Sequence, residues 1–304
     1  MTTAFVLSGG GNRGPLEVGA LRSLLEHGIV PDFFVGTSAG SINSAFMAAW
    51  GPHIKTTSRL ATAWHSASKA AVYGGNVFGI AWRLIRGADS LFSSDGMRRL
   101  IREHLPPDVS TFGQLRRPCY ITAVDLRSGR LYLFGENPSA PLVDAILASS
   151  SVPAIHPPIN YHGLQLVDGG LVASTPAGIA MDKGATVIYA VNLGPGEEVQ
   201  PFVRGVLNIL SRALNVSLMQ SLLIDLQRAS ADPAIELHHI YIGAFAGLAF
   251  NDFDHIDEMI AAGKAATDSY LAHPEPRLIA RPERGSAPSP VIAEAREVLP
   301  PTAR

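Results

Sequence analysis

Short apolar runs alternate with longer segments in which apolar residues recur at a helical spacing, and glycine or proline marks most of the boundaries. Residues 4–7 form the first apolar run, which is typical of a buried strand. A helical pattern follows, from Pro15, which suits a first turn, to Gly28, which suits a helix end. Residues 33–35 repeat the strand pattern, and a second helical segment extends to Gly51. This order predicts a parallel sheet covered by helices.

The rest of the chain continues the alternation. Residues 119–126 and 130–134 predict a hairpin across Arg127-Ser128-Gly129. Further strands are predicted at 164–167, 185–193 and 235–242, and helices at 141–150, 175–184, 202–229 and 254–271. We therefore expect an α/β protein with three layers, α/β/α, around a mostly parallel central sheet.

Residues 55–110 have a less regular pattern. The segments 70–75 and 77–82 are apolar and interrupted by glycine, and Arg83 and Arg86 follow them. Two structures fit this composition. One is a lid over an apolar site, with cations at its rim, and the other is an ordinary packed helical insertion.

Composition limits the class of protein. The chain has 304 residues, of which 47% are hydrophobic and 16% charged, and its net charge of -2 provides no overall basic field for nucleic acid. Its one cysteine, Cys119, excludes an intramolecular disulfide and lies in an apolar run, where we expect a buried, inert side chain. The first residues lack the basic and apolar regions of a signal peptide, and no run of about 20 apolar residues is present. We expect a soluble, cytoplasmic protein.

The segment Gly36-Thr37-Ser38-Ala39-Gly40 follows the second predicted strand and precedes a helix. This G-x-S-x-G pattern is typical of a nucleophile elbow, in which small residues two positions from the serine allow backbone segments to approach closely. The helix N-terminus also favours a developing negative charge on the serine oxygen. The alternative is that Ser38 merely caps the helix.

A second glycine-rich turn follows the first predicted strand and consists of Gly9, Gly10, Gly11, Asn12, Arg13 and Gly14. A G-x-G-x-x-G pattern also occurs in dinucleotide-binding proteins, which place an acidic residue at the end of the second strand. Asp32 instead stands at the start of that strand, and the turn lacks the Gly-Lys-Ser/Thr of a P-loop. We predict that the turn binds an oxyanion, with Gly10 and Gly11 as donors and Asn12 and Arg13 adjacent. The alternative is a nucleotide-binding module that uses the turn to bind phosphate.

Asp168, which precedes Gly169 and Gly170, is the leading candidate for the base. A carboxylate at a strand end can reach a serine on a neighbouring strand, and burial would raise its pKa into a useful range. Asp-Gly is also a common turn, so a purely structural aspartate is one alternative. Another is a Ser-Asp-His triad completed by His238 or His239. The histidines have no metal-ligand spacing such as H-E-x-x-H, so we predict neither a metal nor a cofactor.

Together these segments resemble the patatin-like phospholipase family. The resemblance rests on Gly9–Gly14, Gly36–Gly40 and Asp168–Gly170, with further similarity at residues 148–153, at Pro157-Pro158 and, more weakly, at 254–263. At residues 173–176 the chain has Ala-Ser-Thr-Pro, where many members have asparagine before the proline.

The resemblance implies that Ser38 is the nucleophile, Asp168 its base and Gly9–Gly14 the oxyanion hole, supported by Gly36, Gly40, Gly169 and Gly170. It also implies hydrolysis of lipid acyl esters, often phospholipids or lysophospholipids, without a metal, and is compatible with transient contact at a membrane surface. Residues 4–193 would form the catalytic core, residues 194–272 would complete the same domain, and residues 273–304, rich in Pro, Arg, Ser and Ala, would form a flexible tail.

Overall fold

A mixed β-sheet forms the centre of the molecule. The computed structural model describes residues 1–67, 72, 86, 88–194, 202–205, 209, 222, 224–249 and 251–274. Its strands are β1 (Thr3–Leu7), β2 (Phe33–Gly36), β3 (Cys119–Asp125), β4 (Arg130–Phe134), β5 (Ile159–Tyr161), β6 (Leu164–Asp168), β7 (Val187–Asn192) and β8 (Glu236–Tyr241). Its helices are α1 (Gly14–Glu26), α2 (Ala39–Trp50), α3 (Ile54–Ser66), α4 (Asp95–His104), α5 (Leu142–Ser149), α6 (Ala177–Asp182) and α7 (Ile256–Ala272), and residues 224–231 are also helical.

The sheet has the strand order β5-β6-β3-β2-β1-β7-β8, with β4 paired to β3 outside this path. The pairs β3-β2, β2-β1, β1-β7 and β7-β8 are parallel, whereas β6 and β4 run antiparallel to β3, and β5 antiparallel to β6. The five-stranded parallel part carries the β-loop-α units that the sequence predicts. The antiparallel strand β6 brings a second strand end close to the carboxyl end of β2, as its pairing with β3 shows.

Strand β3 has partners on both of its edges, and two strands share one edge. Ile121 pairs with Gly36 of β2 and with Phe134 of β4, so β2 and β4 lie on opposite edges. Ala123 pairs with both β4 and Asp168 of β6, which places β6 on the same edge as β2. Because β2 is parallel to β3 and β6 antiparallel, the carboxyl ends of β2 and β6 approach each other at Thr122.

Both faces of the sheet are covered. Along β1, Phe5 and Leu7 belong to one buried cluster with residues of α1, α2, α3 and α7, whereas Ala4 and Val6 belong to a second cluster with residues of α6 and with Leu222, Leu226 and Ala229. Successive strand residues point to opposite faces, so this alternation separates two cores. Burying a large apolar side chain such as Phe5 contributes about 1.5–3 kcal/mol. The predicted three-layer α/β/α arrangement is confirmed.

Two glycines allow α1 and α7 to pack with their backbones in contact. A Cβ atom at Gly19 would lie 2.0 Å from the Ile260 carbonyl oxygen, and one at Gly263 would lie 1.9 Å from the Leu16 carbonyl oxygen. No side chain fits at either position without moving backbone. This packing fixes the helix that begins at the end of the glycine-rich turn.

Most predicted elements are present within a few residues of their predicted bounds, including the hairpin between β3 and β4, in which Gly129 has φ +69°. Helices α3 and α4 and strand β5 were not assigned from the sequence. The two helices bury narrow stripes, such as Met97 and Ile101 of α4, between charged residues, so their apolar periodicity is weak. Most of the predicted helix 202–229, nearly all of the lid candidate within 70–85, and residues 275–304 of the predicted tail lie outside the described residues.

The helices in the described ranges all fall short of the length and apolarity that a membrane crossing requires.

Candidate active site

Ser38 stands between β2 and α2 in a strained backbone conformation. Its φ of 53° and ψ of -121° are rare for a residue with a side chain, and such strain is concentrated at functional sites. The turn depends on its two glycines. A Cβ atom at Gly36 would lie 2.4 Å from the Gly40 carbonyl oxygen, and one at Gly40 would lie 2.3 Å from the Leu7 carbonyl oxygen. The predicted strand-to-helix elbow is therefore present, with its serine largely buried.

Several hydroxyl groups hold the elbow. The Ser38 N–H donates to Ser149 Oγ at 2.8 Å, and the Ser38 carbonyl oxygen accepts from Ser41 Oγ at 2.6 Å. Ser150 Oγ lies 3.5 Å from the same carbonyl oxygen. Ser38 occupies the N-cap position of α2, but its side chain makes no capping hydrogen bond. The capping alternative is therefore wrong, and the Ser38 hydroxyl is directed to another partner.

That partner is Asp168, at the end of β6. The Ser38 hydroxyl lowers the pKa of the Asp168 carboxyl group as a hydrogen-bonding neighbour, and Oδ1 of Asp168 accepts the Gly170 N–H at 2.8 Å. Asp168 is 6% exposed, and burial of its carboxyl group raises the pKa from 3.8 to about 6, although the Ser38 hydroxyl and the Gly170 N–H each lower it. A buried carboxylate in contact with a hydroxyl on a strained elbow is equipped to remove the hydroxyl proton.

The backbone around Asp168 is fixed from two sides. Its N–H donates to the Ser151 carbonyl oxygen at 3.0 Å. A Cβ atom at Gly169 would lie 2.2 Å from Thr122 Oγ1 and 2.5 Å from the Thr122 carbonyl oxygen. Position 169 therefore needs glycine, because the turn after Asp168 passes directly over β3.

Thr37 and Thr122 connect the two strand ends, and the sequence patterns assign neither of them a role. Their Oγ1 atoms are 2.7 Å apart, and Thr37 Oγ1 also donates to the Ala173 carbonyl oxygen at 2.8 Å. Both side chains are fully buried. A threonine inside the apolar run of β3 was the available signal, since a buried hydroxyl needs a partner. Ser149 lies within the similar segment 148–153, but its sequence context does not indicate the hydrogen bond to the Ser38 N–H.

The glycine-rich turn lies against the serine. Residues Gly11–Arg13 form one turn of 3₁₀ helix before α1, and a Cβ atom at Gly9 would lie 3.5 Å from Ser38 Cβ. The N–H groups of Gly9, Arg13 and Gly14 donate to the carbonyl oxygens of Ser174, Gly10 and Gly11. The N–H groups of Gly10, Gly11 and Asn12 have no such acceptor in the part of the chain that is described. The six predicted positions thus divide into three engaged donors and three available ones.

The side chains of Asn12 and Arg13 anchor the turn to neighbouring loops. Asn12 Nδ2 donates to the carbonyl oxygens of Ala249, at 2.8 Å, and Asp252, at 2.6 Å. The Arg13 guanidinium donates to the carbonyl oxygens of Leu193 and Gly194. Burial lowers the pKa of Arg13, partly offset by Tyr241 and Glu17. Both side chains are engaged with backbone carbonyls, so they fix the position of the turn.

The structure does not favour the two alternatives considered from the sequence, a Ser-Asp-His triad and a dinucleotide site. His238 bonds to Glu236 and Tyr270, and His239 lies 3.1 Å from Asn192 Nδ2, all distant in strand order from β6. Asp32 accepts the Thr3 N–H at 2.7 Å, at the amino end of β1. This is the wrong end of the sheet for a dinucleotide ribose.

The described part of the chain contains neither a metal-ligand cluster nor a reactive cysteine. Within the described residues, no group of three or more His, Cys, Asp or Glu side chains is arranged to hold a metal ion. Cys119 is 2% exposed and free, and burial raises the pKa of its thiol, as expected of an inert core residue.

The chain is similar to several known proteins. Patatin-like phospholipase domain-containing protein 7 of Mus musculus is 27% identical over 197 residues, which cover 64% of this chain and 14% of that protein. Lysophospholipase NTE1 of Scheffersomyces stipitis is 28% identical over 207 residues, covering 66% of this chain and 12% of that protein. The chain thus spans about an eighth of the length of these relatives. The crystal structure of VipD from Legionella pneumophila is 13% identical, with a TM-score of 0.49, covering 89% of this chain and 66% of that one.

The elements that carry the site lie within a segment that matches a family of known proteins. The family model described as "Patatin-like phospholipase" matches residues 5–181, which is more than half of the chain and includes the glycine-rich turn, the elbow and Asp168. The chain belongs to the patatin-like phospholipase family.

Proposed function

We propose that this protein is a serine hydrolase that cleaves carboxylic esters of lipids, with Ser38 as nucleophile and Asp168 as general base. The observation that carries the proposal is the meeting of two strand ends, which sets a serine on a strained elbow beside a buried carboxyl group whose pKa that serine lowers. Membership of the patatin-like phospholipase family supports the same reaction class.

The proposed reaction has two halves. Asp168 accepts the proton of Ser38 as Oγ attacks the ester carbonyl carbon, and the carbonyl oxygen becomes an oxyanion. The tetrahedral intermediate collapses by breaking the ester C–O bond, and the leaving alcohol takes the proton from Asp168. Water then attacks the acyl-enzyme, giving its proton to Asp168, and the second collapse returns that proton to Ser38 and releases the fatty acid.

We assign the oxyanion donors to the N–H groups of Gly10 and Gly11, with Asn12 adjacent. These groups lack backbone acceptors in the described residues, whereas the Gly9 N–H is already bonded to Ser174. Preorganised donors of this kind are worth about 10²–10³-fold in rate for each donor.

A carboxylate suffices as the base because of its surroundings. A general base works best with a pKa near the operating pH, and burial raises the pKa of Asp168 to about 6. Exclusion of water also strengthens its interaction with the serine proton.

Two exposed valines follow closely, along the chain, residues that hold or form the site. Val152 directly follows Ser151, whose carbonyl oxygen binds the Asp168 N–H, and Val172 follows the turn after Asp168. These two valines are 40% and 42% exposed. Exposed apolar residues near the site along the chain are compatible with an acyl chain or the surface of a lipid aggregate, and the main support for lipid substrates is the family. Because one relative is named a lysophospholipase, lysophospholipids are the first substrates to test.

The test is release of fatty acids from a panel of phospholipids, lysophospholipids and neutral acyl esters, read by mass spectrometry. We expect the wild-type protein to release fatty acid and to be labelled at Ser38 by a fluorophosphonate. Ser38→Ala should abolish both, whereas Ser58→Ala, an exposed serine on α3, should abolish neither. Full activity in Ser38→Ala, or no release from any ester, would overturn the proposal.

A further inference from the structure

Glu17 is a fully buried carboxyl group in the first turn of α1. Its Oε2 accepts from Asn43 Nδ2 at 2.8 Å, and its Oε1 has no hydrogen-bond partner in the described residues. Burying a carboxyl group without full hydrogen bonding is costly, and such groups are rare unless they serve a purpose. The proposed reaction does not use Glu17, so its presence needs another explanation.

The contacts of Glu17 reach both ends of the glycine-rich turn. The N–H of Ser8, the residue before the turn, is near enough to the Glu17 carboxyl group to lower its pKa. Asn43 Nδ2, which binds Oε2, also donates to the carbonyl oxygen of Gly14, at 3.1 Å, where the turn ends. Glu17 is therefore linked to Ser8, just before the turn, and through Asn43 to Gly14, the last residue of the turn.

Ser8 extends this connection to the nucleophile elbow and to β7. Its carbonyl oxygen accepts the Gly40 N–H at 3.1 Å, and its Oγ accepts the Leu193 N–H at 2.9 Å. A displacement of Ser8 would thus be transmitted to the helix that follows Ser38. Gly10, one of the proposed donors, lies only two residues further along the chain.

The groups packed around Glu17 leave it in a largely uncharged environment. On α2 it meets Asn43, whose Oδ1 accepts from Trp64 Nε1 of α3 at 2.9 Å. Arg13, just before α1, is the cation that acts on it, and this guanidinium is itself bonded to backbone carbonyls of the loop after β7. Lys264 and Asp268 of α7 pair with Glu26 and Ser23, further along α1.

Burial dominates the protonation of this side chain. It raises the pKa of Glu17 from 4.5 to about 8, although Asn43, the Ser8 N–H and Arg13 each lower it. The neutral acid therefore predominates at pH 7.

We infer that Glu17 is a positioning residue for the oxyanion-binding turn, acting through Ser8 and Asn43. The inference rests on the proposed function, because it takes the Gly10 and Gly11 N–H groups as the donors. A neutral carboxyl group fills the space and holds both ends of the turn without placing a charge in the core. Ionisation would put an unsatisfied anion there, which draws in water or displaces the groups around it. The turn would then lose its alignment with Ser38.

Two variants separate the charge of Glu17 from its shape. Glu17→Gln is permanently neutral and of similar volume, whereas Glu17→Ala removes the contacts. Glu26→Gln, on an exposed part of the same helix, is the matched control. For each protein, kcat and KM for a p-nitrophenyl ester and the rate of Ser38 labelling by a fluorophosphonate are measured from pH 6 to 9.5. Circular dichroism at each pH checks that the protein remains folded.

The wild-type and Glu26→Gln rates should fall by about tenfold per pH unit above about pH 8, because a single essential acid is lost. Glu17→Gln should stay within about threefold of wild type at pH 7 and keep its rate to pH 9.5. Glu17→Ala should lower kcat by about 10–100-fold with little change in KM, less than or comparable to the loss of one oxyanion donor.

Two outcomes would overturn the inference. One is that Glu17→Gln loses as much activity as Glu17→Ala, and the other is that Glu17→Gln shares the alkaline fall of wild type. If Glu17→Ala does not fold, the pH profiles of wild type and Glu17→Gln still decide. Absence of turnover and of Ser38 labelling in wild type would instead indicate that the proposed function has failed.

Discussion

Ser38 and Asp168 stand at the carboxyl ends of two strands that approach each other along one edge of β3. Gly36, two residues before the serine, pairs with Ile121, and Asp168 pairs with Ala123, so only Thr122 separates the two positions on β3. A parallel and an antiparallel partner on the same edge must meet with their carboxyl ends facing. The topology therefore brings together two side chains that are far apart in sequence.

The protonation of Asp168 should control the pH dependence of hydrolysis. A base must be ionised to accept a proton, and burial raises the pKa of Asp168 to about 6. We expect kcat/KM to fall about tenfold per pH unit below about pH 6 and to be level just above it. Asp168→Asn should lose about 10²–10⁴-fold in kcat, measured with a p-nitrophenyl ester. A profile that is flat down to pH 4.5 would contradict this role.

The same burial should make Asp168 a source of instability at neutral pH. Since the folded-state pKa lies above the unfolded value of 3.8, the carboxyl group favours folding only when protonated, and this contribution is lost as the pH rises through about 6. The cost at pH 7 is at most about 3 kcal/mol. Asp168→Asn should therefore unfold at a higher temperature than wild type at pH 7. The difference should shrink as the pH approaches 3.8, and a pH-independent difference would argue against it.

Neither histidine on β8 should be required for catalysis. His238 stacks on Tyr189 with ring centroids 4.3 Å apart and bonds to Glu236, and His239 is engaged with Asn192. In the described residues the groups that act on the Asp168 carboxyl group are the Ser38 hydroxyl and the Gly170 N–H, and neither histidine is among them. His238→Ala and His239→Ala should each cost less than about tenfold in kcat, whereas loss of a triad histidine costs several orders of magnitude. A loss of that larger size would favour the Ser-Asp-His alternative.

The parts of the site that the sequence predicts are those defined by local backbone geometry. The elbow at Ser38 and the turn after Asp168 need glycines at fixed distances from a polar residue, and such spacing is visible in the sequence. The contacts of Thr122, Ser149 and Glu17 depend on which strands and helices become neighbours, so no local pattern indicates them. Likewise, a glycine pattern suggests six N–H donors but cannot show that the Gly9 N–H is bonded to Ser174.

Helix α4 and strand β5 also depend on their neighbours in the fold, and their weak hydrophobic periodicity does not predict them. Helix α4 buries Met97 and Ile101 but exposes Arg99 and Arg102, so its packing is decided by a narrow stripe. Strand β5 has three residues and is defined by its pairing with β6. Short or thinly apolar elements depend on tertiary partners more than on intrinsic propensity.

A methyl group at position 9 should separate activity from stability. The Cβ atom of Gly9→Ala would lie 3.5 Å from Ser38 Cβ, an ordinary contact, and Gly9 does not have a positive φ, so the fold should tolerate it. The methyl group would nevertheless stand beside the nucleophile, where the ester carbonyl must approach. We expect kcat/KM to fall by about tenfold to 10²-fold, since small displacements of reacting groups are costly.

Gly247→Ala is the matched control, because its Cβ atom would meet nothing within 4 Å. It should leave both the melting temperature and kcat/KM unchanged. If Gly9→Ala kept full activity, the glycine-rich turn would not border the reacting ester.

Asn12 should hold the glycine-rich turn by donating hydrogen bonds, and the direction of donation can be tested. Its Nδ2 atom serves the carbonyl oxygens of Ala249 and Asp252, and the side chain is buried. Asn12→Ala removes both bonds and should cost about 1–3 kcal/mol of unfolding free energy, together with a lower kcat as the turn loses its support. Asn12→Asp keeps the shape but places carboxylate oxygens against two carbonyl oxygens, so it should be the more destabilised variant. Thermal and urea unfolding at pH 8 measure the order, with Asn160→Ala, an exposed asparagine on β5, as the control. Equal stability of Asn12→Asp and wild type would mean that Asn12 does not donate to these carbonyls, because an acceptor at this position must repel them.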